Sequence, residues 1–437
     1  MIGYIGVILA MALLIGMAYK RWNVMIISIV AALVAGLANG INVFEIFSGY
    51  FLPSAVAFIQ RWLLVFTCGA IFSEFMSRSK SVVSIAYTLN KVAGKEWGVA
   101  IIAAISFVLT LCAVSPYVQI FILWPICVVF ARETKIPRGI WIAAFYVGMM
   151  AVSCFPGSSS GTNIMVVSLL GVSAASAPGL ALVYVILYFV LGVGYLMWQS
   201  KKQLNKGNLF VESARDAKLS VNDDGTAPNI VIALIPVIVV LALVITLTSG
   251  TFGVKLDGTA SVYTAIAAGC LVCLLLNFKT LKPQLKEMLV KSSTGGINPT
   301  MNAALITGFV GVVSATAAFT SFTESIQNLG GHPYFQVYLA TNIISFVSAS
   351  ATVSIPTVVN TFGASWLAAG VNPAVLRPLI LGNASPFTLG PHSGGLHGVM
   401  DFAGSNLKDC YSYCFVAIML NSLLCGGVIT VLAVLFA

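Results

Sequence analysis

The segment Ile2–Tyr19, IGYIGVILAMALLIGMAY, carries no charge, and apolar runs of about 17–25 residues recur from there along the 437-residue chain. A helix of that length crosses the roughly 30 Å of hydrocarbon in a bilayer. Only 8% of the residues are charged and 59% are hydrophobic, a balance no water-soluble domain tolerates. The chain therefore reads as a polytopic, all-α membrane protein. The first run lacks a basic start and a small-residue cleavage site, and Lys20-Arg21 follows it, so it reads as a retained span.

The net charge of +9 does not point to nucleic acid. The basic residues cluster at Lys20-Arg21, Arg78–Lys95, Arg132–Arg138, Lys201–Lys218 and Lys279–Lys291, between apolar runs, where cytoplasmic loops carry their anchors. The nine cysteines lack metal or disulfide spacing and read as small apolar packing residues. No nucleotide-binding loop and no nucleophile–base motif occurs, so neither ATP-driven transport nor an enzyme is expected, and no cofactor.

The polar stretch Gln199–Asn229 divides the chain into halves that resemble each other. Pro156–Met165 (PGSSSGTNIM) matches Pro391–Met400 (PHSGGLHGVM), pairing Ser158 with Ser393, and each follows a helix opened by Pro137 or Pro373. Before each lies a kinked apolar pair, with tips at Ser115-Pro116-Tyr117 and Ser348-Ala349-Ser350. The expected organisation is an N-terminal repeat over 1–199, with a hairpin at about 94–131 and a broken helix at about 139–172. A cytoplasmic linker over 200–227 follows, then a C-terminal repeat over 228–437, with a hairpin at about 333–369 and a broken helix at about 374–407. The remaining spans fall near 3–19, 22–42, 57–76, 178–199, 228–249, 259–277, 301–322 and 411–436. Loop charge then inverts the second half relative to the first and puts both termini outside. Two full crossings per hairpin satisfy the charges equally; short arms and polar tips favour re-entrant hairpins.

Backbone freed by proline and glycine cannot face lipid, so the breaks must be buried or line a wet cavity. Exposed helix starts there suit a carboxylate. Candidate substrate-binding residues are Ser115 and Gln119 at the first hairpin, Ser158, Ser159, Thr162 and Asn163 at the first break, Ser348, Ser350 and Thr352 at the second hairpin, and Asn383, Ser385, His392 and Ser393 at the second break. Ser354 and Thr388 belong to the same groups, and Trp124, Trp366 and Tyr117 are candidate pocket walls. His392, His397, Glu74 and Asp401 are the proton-coupling candidates, because His titrates near working pH and intramembrane carboxylates are costly. Arg61 and Arg377 read as arginines snorkelling at helix ends, with Arg377 a possible lure for an anion.

The block Leu367–Tyr411 (LAAGVNPAVLRPLILGNASPFTLGPHSGGLHGVMDFAGSNLKDCY) resembles the equivalent block of the gluconate permease family, nearest to members for small hydroxy-acids such as 3-hydroxybutyrate. Ser348–Ile355 (SASATVSI) and Cys154–Leu180 (CFPGSSSGTNIMVVSLLGVSAASAPGL) are similar to its other motifs. The His-Val-Asn-Asp pattern of gluconate carriers is absent. The resemblance implies two inverted repeats, a scaffold and a mobile transport domain, a homodimer in the bacterial inner membrane, and secondary active transport by an elevator movement. The expected function is proton-coupled uptake of a small organic anion, a short hydroxy-monocarboxylate. A sodium-coupled dicarboxylate carrier is the first alternative, although its Ser-Asn-Thr tip is missing here. A passive organic-anion channel is the second.

Overall fold

A computed structural model describes residues 2–436 except 21, 112–115, 159, 214–215, 217–226, 250–252, 254–255, 257 and 328–330. The described residues are all-helical. The first half contains α1 (Ile2–Tyr19), α2 (Val24–Ala38), α3 (Leu52–Arg78), α4 (Ser81–Ala93), α5 (Gly98–Leu111), α6 (Pro116–Thr134), α7 (Arg138–Ser153), α8 (Gly161–Leu170) and α9 (Pro178–Asn205). The second contains α10 (Ile230–Ser249), α11 (Gly258–Leu276), α12 (Phe278–Leu281), α13 (Leu285–Ser314), α14 (Ala317–Gln327), α15 (Pro333–Ser348), α16 (Ala351–Ala368), α17 (Pro373–Phe387), α18 (Gly394–Phe402), α19 (Leu407–Cys414) and α20 (Asn421–Phe436). Among the described residues, four continuous helical stretches, Glu45–Arg78, Pro178–Asn205, Phe278–Ser314 and Leu407–Phe436, are long and apolar enough to cross a membrane alone. The protein is an integral, multi-pass membrane protein.

Several edges differ from the sequence reading. The span expected at 57–76 is part of a helix entered at Glu45 through a π-helical turn. The span expected at 301–322 begins far earlier and breaks after Ser314, where the Thr316 hydroxyl accepts the Phe319 N–H at 3.2 Å and starts α14. Segment 81–93, read as basic loop, is helix α4, and α9 continues beyond 199 to Asn205.

Two arrangements organise the interior. Helices α3 and α13 run antiparallel: Gly296 faces the Phe66 carbonyl and Gly311 faces Ser54. A methyl on Gly296 would lie 2.6 Å from that carbonyl oxygen, so only glycine permits the approach. The second is central. Every residue of α7 is buried, as is α17 from Val375 to Phe387, which explains why both are mostly apolar on every face, with Arg377, Asn383 and Ser385 the polar exceptions in α17. They are antiparallel as well. Arg138 at the start of α7 bonds the Ala403 carbonyl after α18. Tyr146 donates to the Gly395 carbonyl at 3.2 Å, and Cys154 after α7 to that of Pro378 in α17 at 3.5 Å. Outside this core, α9, α11 and α20 expose Ile186, Val190, Leu271, Leu275, Leu424 and Leu435, the pattern of a lipid-facing surface.

Candidate functional site

Both central helices are interrupted, and the interruptions are built locally. In the first, α8 begins at Ser160, whose hydroxyl accepts the Asn163 N–H at 3.4 Å. Asn163 returns its amide to the Ser158 carbonyl at 2.7 Å, and the Ser158 hydroxyl accepts the Ser160 N–H at 3.1 Å. Ser-x-Ser-x-x-Asn is thus a self-contained helix start. In the second, α18 begins at Ser393, whose hydroxyl accepts the Leu396 N–H at 3.4 Å. Capping therefore matches Ser393 with Ser160. The sequence pairing with Ser158 was out of register, because the loop proline stands farther from the cap in the first break than in the second.

The second break is where polar groups are left over. His392 is fully buried, edge-on to Phe346, and its Nε2 lies 2.7 Å from the Phe346 carbonyl. A carbonyl only accepts, so Nε2 carries the proton and Nδ1 presents a bare lone pair. That Nδ1 has no partner among the described residues. The same holds for Thr341 Oγ1, Asn342 Oδ1 and Ser345 Oγ on α15, Ser354 Oγ on α16 and Ser385 Oγ on α17, all buried. These three helices pack on one another. Each unpartnered buried group costs about 1–3 kcal/mol, and a native fold keeps such a cluster for a reason. Asn383 is buried and held: it accepts from Asn342 at 3.1 Å and donates to the Leu379 carbonyl at 2.7 Å. His397 donates from Nε2 to the Pro391 carbonyl at 2.9 Å, closing the break onto α18.

The first hairpin differs. Gln119 accepts from Ser106 at 2.9 Å and donates to Thr110 at 2.7 Å, which ties α6 to α5. The single Ser106 proton is shared with the Phe145 carbonyl, 2.7 Å away, and Thr110 donates to the Ser106 carbonyl at 2.8 Å. These three described side chains are thus already engaged. Ser115 and Ser159 lie outside the described residues, and so do the side chains of Tyr117 and Thr352. Ser348 bonds locally to the Ser345 and Ser350 carbonyls, Ser350 precedes α16, and the Thr162 and Ser160 hydroxyls are 3.4 Å apart.

The acids and arginines also have places. Glu74 pairs with Arg78 at 2.9 Å, and Arg78 donates to Gln284 at 2.9 Å. Asp401 accepts from Asn302 at 2.6 Å. Arg377 does not snorkel: its side chain is fully buried, because acceptors from the first half, Asn163 and Ser176, reach it. Trp366 is buried and stacks on Phe362. The Trp124 indole N–H donates to Asp216 at 3.3 Å.

Asp216 belongs to a network that sequence reading missed. The stretch read as linker folds back as a strap. The Phe210 N–H bonds the Lys135 carbonyl at 2.8 Å, and Glu212 pairs with Arg132 at 2.7 Å. Asp216, fully buried, pairs with Arg138 and accepts the Ser213 N–H and hydroxyl, both at 2.8 Å. The Arg138 guanidinium also donates to the Val211 and Ala403 carbonyls and lies over the Trp124 and Phe210 rings. One arginine thus joins the strap, the start of α7 and the end of α18.

Two discontinuous helices crossing head to tail in the centre of a multi-pass helical protein, with buried polar groups around one break and no metal-ligand cluster among the described residues, define a membrane transport protein. Comparison with known proteins agrees. The model of the GntP family permeases matches residues 2–377, and the chain belongs to that family. Over 460 residues it is 22% identical to the uncharacterized transporter YxjC of Bacillus subtilis (strain 168), with 97% of this chain and 98% of that one covered. The protein is a transporter and not an enzyme.

Proposed function

We propose that the protein is a secondary active transporter that imports a small organic anion, a short hydroxy-monocarboxylate, together with a proton. The observation that carries this reading is a set of unpartnered buried groups at the second break and on α15, α16 and α17, which pack on one another: the His392 Nδ1 lone pair and the Ser345, Ser354, Ser385 and Thr341 hydroxyls. Hydroxyls hold an alcohol or a carboxylate, and Nδ1 accepts a proton while Nε2 keeps its bond to Phe346. Moving a neutral proton–anion pair is cheaper than moving a bare anion. The two halves act as inverted repeats, over 1–199 and 228–437, around the linker at 200–227. The same helix order in each half and the antiparallel breaks support this. Helix α5 has 14 residues, about 21 Å at 1.5 Å each, which favours a re-entrant arm over a full crossing. The assembly is a homodimer in a bacterial inner membrane, termini outside, with an elevator movement of the broken helices.

The test is uptake by purified protein in liposomes, with labelled 3-hydroxybutyrate, lactate, gluconate and succinate, under an inward proton gradient or an inward sodium gradient. Accumulation of a hydroxy-monocarboxylate with protons alone, lost in His392→Ala, is expected. Sodium-dependent succinate uptake would sink the proton reading, and equilibration without accumulation would point to a channel.

A further inference from the structure

A guanidinium inside a membrane-spanning core is costly unless something neutralises it. Arg377 stands on the second turn of α17, fully buried. None of the ion pairs among the described residues involves it. Its Nε–H reaches the Ser176 carbonyl and hydroxyl, both at 3.2 Å, and Nη2 reaches the same carbonyl at 3.1 Å. Nη1 donates to Asn163 Oδ1 at 2.9 Å. Every acceptor is neutral. A guanidinium has five N–H bonds. Two of them are therefore left without a protein acceptor among the described residues.

The surroundings add positive character. Asn163 lies in the first turn of α8, a helix of 10 residues capped by Ser160. The first amides of a helix have no partner inside it, and its start carries about half a positive charge. Arg377 and this helix start meet at Asn163 with no carboxylate between them. Arg377 also steadies Ser176, next to Ala177, whose φ of 45° is left-handed. A clamp on Ser176 accounts for one edge of the guanidinium. It does not account for a full charge with only neutral partners, since a neutral donor would hold the same carbonyl at less cost.

We infer that Arg377 and the amino end of α8, joined through Asn163, form a binding site for a carboxylate. The inference rests on the proposed transport of an organic anion and adds where its charged end docks. The guanidinium is pre-organised, because Ser176 and Asn163 fix its plane and leave two N–H bonds for the ligand.

Calorimetric titration of the purified protein in detergent with sodium 3-hydroxybutyrate, lactate, gluconate and succinate tests this, with 1,3-butanediol as the uncharged counterpart of the first. At least one carboxylate is expected to bind, while the diol does not bind. Arg377→Gln should weaken binding by about 10-fold or more, the worth of a charged hydrogen bond, and Arg377→Lys should fall between. Wild-type affinity in Arg377→Gln, or no binding of any of the four anions to wild type, overturns the inference. Should Arg377→Gln not fold, Arg377→Lys and Asn163→Ala decide: unchanged affinity in both overturns it. Vesicle uptake separates the two proposals. Binding through Arg377 without accumulation sinks the transport reading alone, and accumulation with an unchanged KM in Arg377→Gln sinks the site alone.

Discussion

Asp216→Asn is expected to destabilise the protein by about 3–5 kcal/mol, the cost of removing one partner from a buried ion pair. The side chains of Asp216 and Arg138 are 0% and 9% exposed, so water cannot replace the missing partner. The amide of the variant has no good orientation. Oδ2 faces Arg138 and the Ser213 N–H and hydroxyl, while Oδ1 faces the Trp124 indole N–H. An NH2 group at either position meets a donor. The smaller conflict, against Trp124, still strands one N–H. Replacing the pair together, as Asp216→Leu with Arg138→Met, removes the unpaired charge and should recover part of the loss. Full recovery is not expected, because Arg138 also serves the Val211 and Ala403 carbonyls, which lose their donor at about 1–3 kcal/mol each. The assay is equilibrium unfolding in dodecyl maltoside micelles titrated with SDS, read by tryptophan fluorescence. An Asp216→Asn protein within about 1 kcal/mol of wild type would refute the reasoning, since that is the range of an exposed pair. So would a wild-type stability that falls steeply with salt, because buried pairs are little screened.

Other expectations separate stability from transport. Ser345→Ala and Ser354→Ala remove hydroxyls without partners and should leave stability equal or higher, by up to about 1–3 kcal/mol, while slowing uptake; faster uptake, or unfolding, would contradict the site. Gln119→Leu should do the reverse, costing about 0.5–1.5 kcal/mol in the unfolding assay for the hydrogen bonds it loses, because Ser106 keeps the Phe145 carbonyl and Thr110 the Ser106 carbonyl, with KM for the transported anion unchanged. Gly426→Ala places a methyl 2.1 Å from Asn383 Oδ1 and should cost about 1–3 kcal/mol, read as a lower melting temperature. Glu74→Gln should cost about 1–3 kcal/mol, since the pair with Arg78 is only about a fifth to a quarter exposed and Arg78 loses its counter-charge; a large loss of proton-driven uptake beyond that would give Glu74 a role in coupling.

Which parts of this protein can be read from its sequence follows from how local their causes are. The breaks themselves are legible in their prolines and glycines, but the capping residue is not: the motif alignment pairs Ser393 with Ser158, while the cap in the first break is Ser160, whose hydroxyl bonds the N–H three residues on. The mostly apolar run of α7 fits its complete burial. Arg377 was misread as snorkelling because its acceptors, Asn163 and Ser176, lie 214 and 201 residues away. The strap was misread as solvated linker for a related reason. Its charges look like loop charges, and only the fold brings Asp216 to Arg138 and Trp124. Thr341 and Ser345 carry a usable signal, two hydroxyls one helical turn apart on a helix that also holds Gln336, Asn342 and Ser348, which the tip residues Ser348 and Ser350 overshadow in the sequence.

The strap also sets an order for biogenesis. Arg138 is synthesised 78 residues before Asp216 and 265 residues before Ala403. At about 5–20 residues per second, its counter-ion arrives roughly 4–16 s later and its last acceptor roughly 13–53 s later. During the first interval α7 has an uncompensated cation at the end it must eventually bury. A chain in this state is held at the membrane interface by its own charge. The first half therefore cannot lock its central helix until the strap has emerged, and the lock closes only when the far half has been inserted beside it.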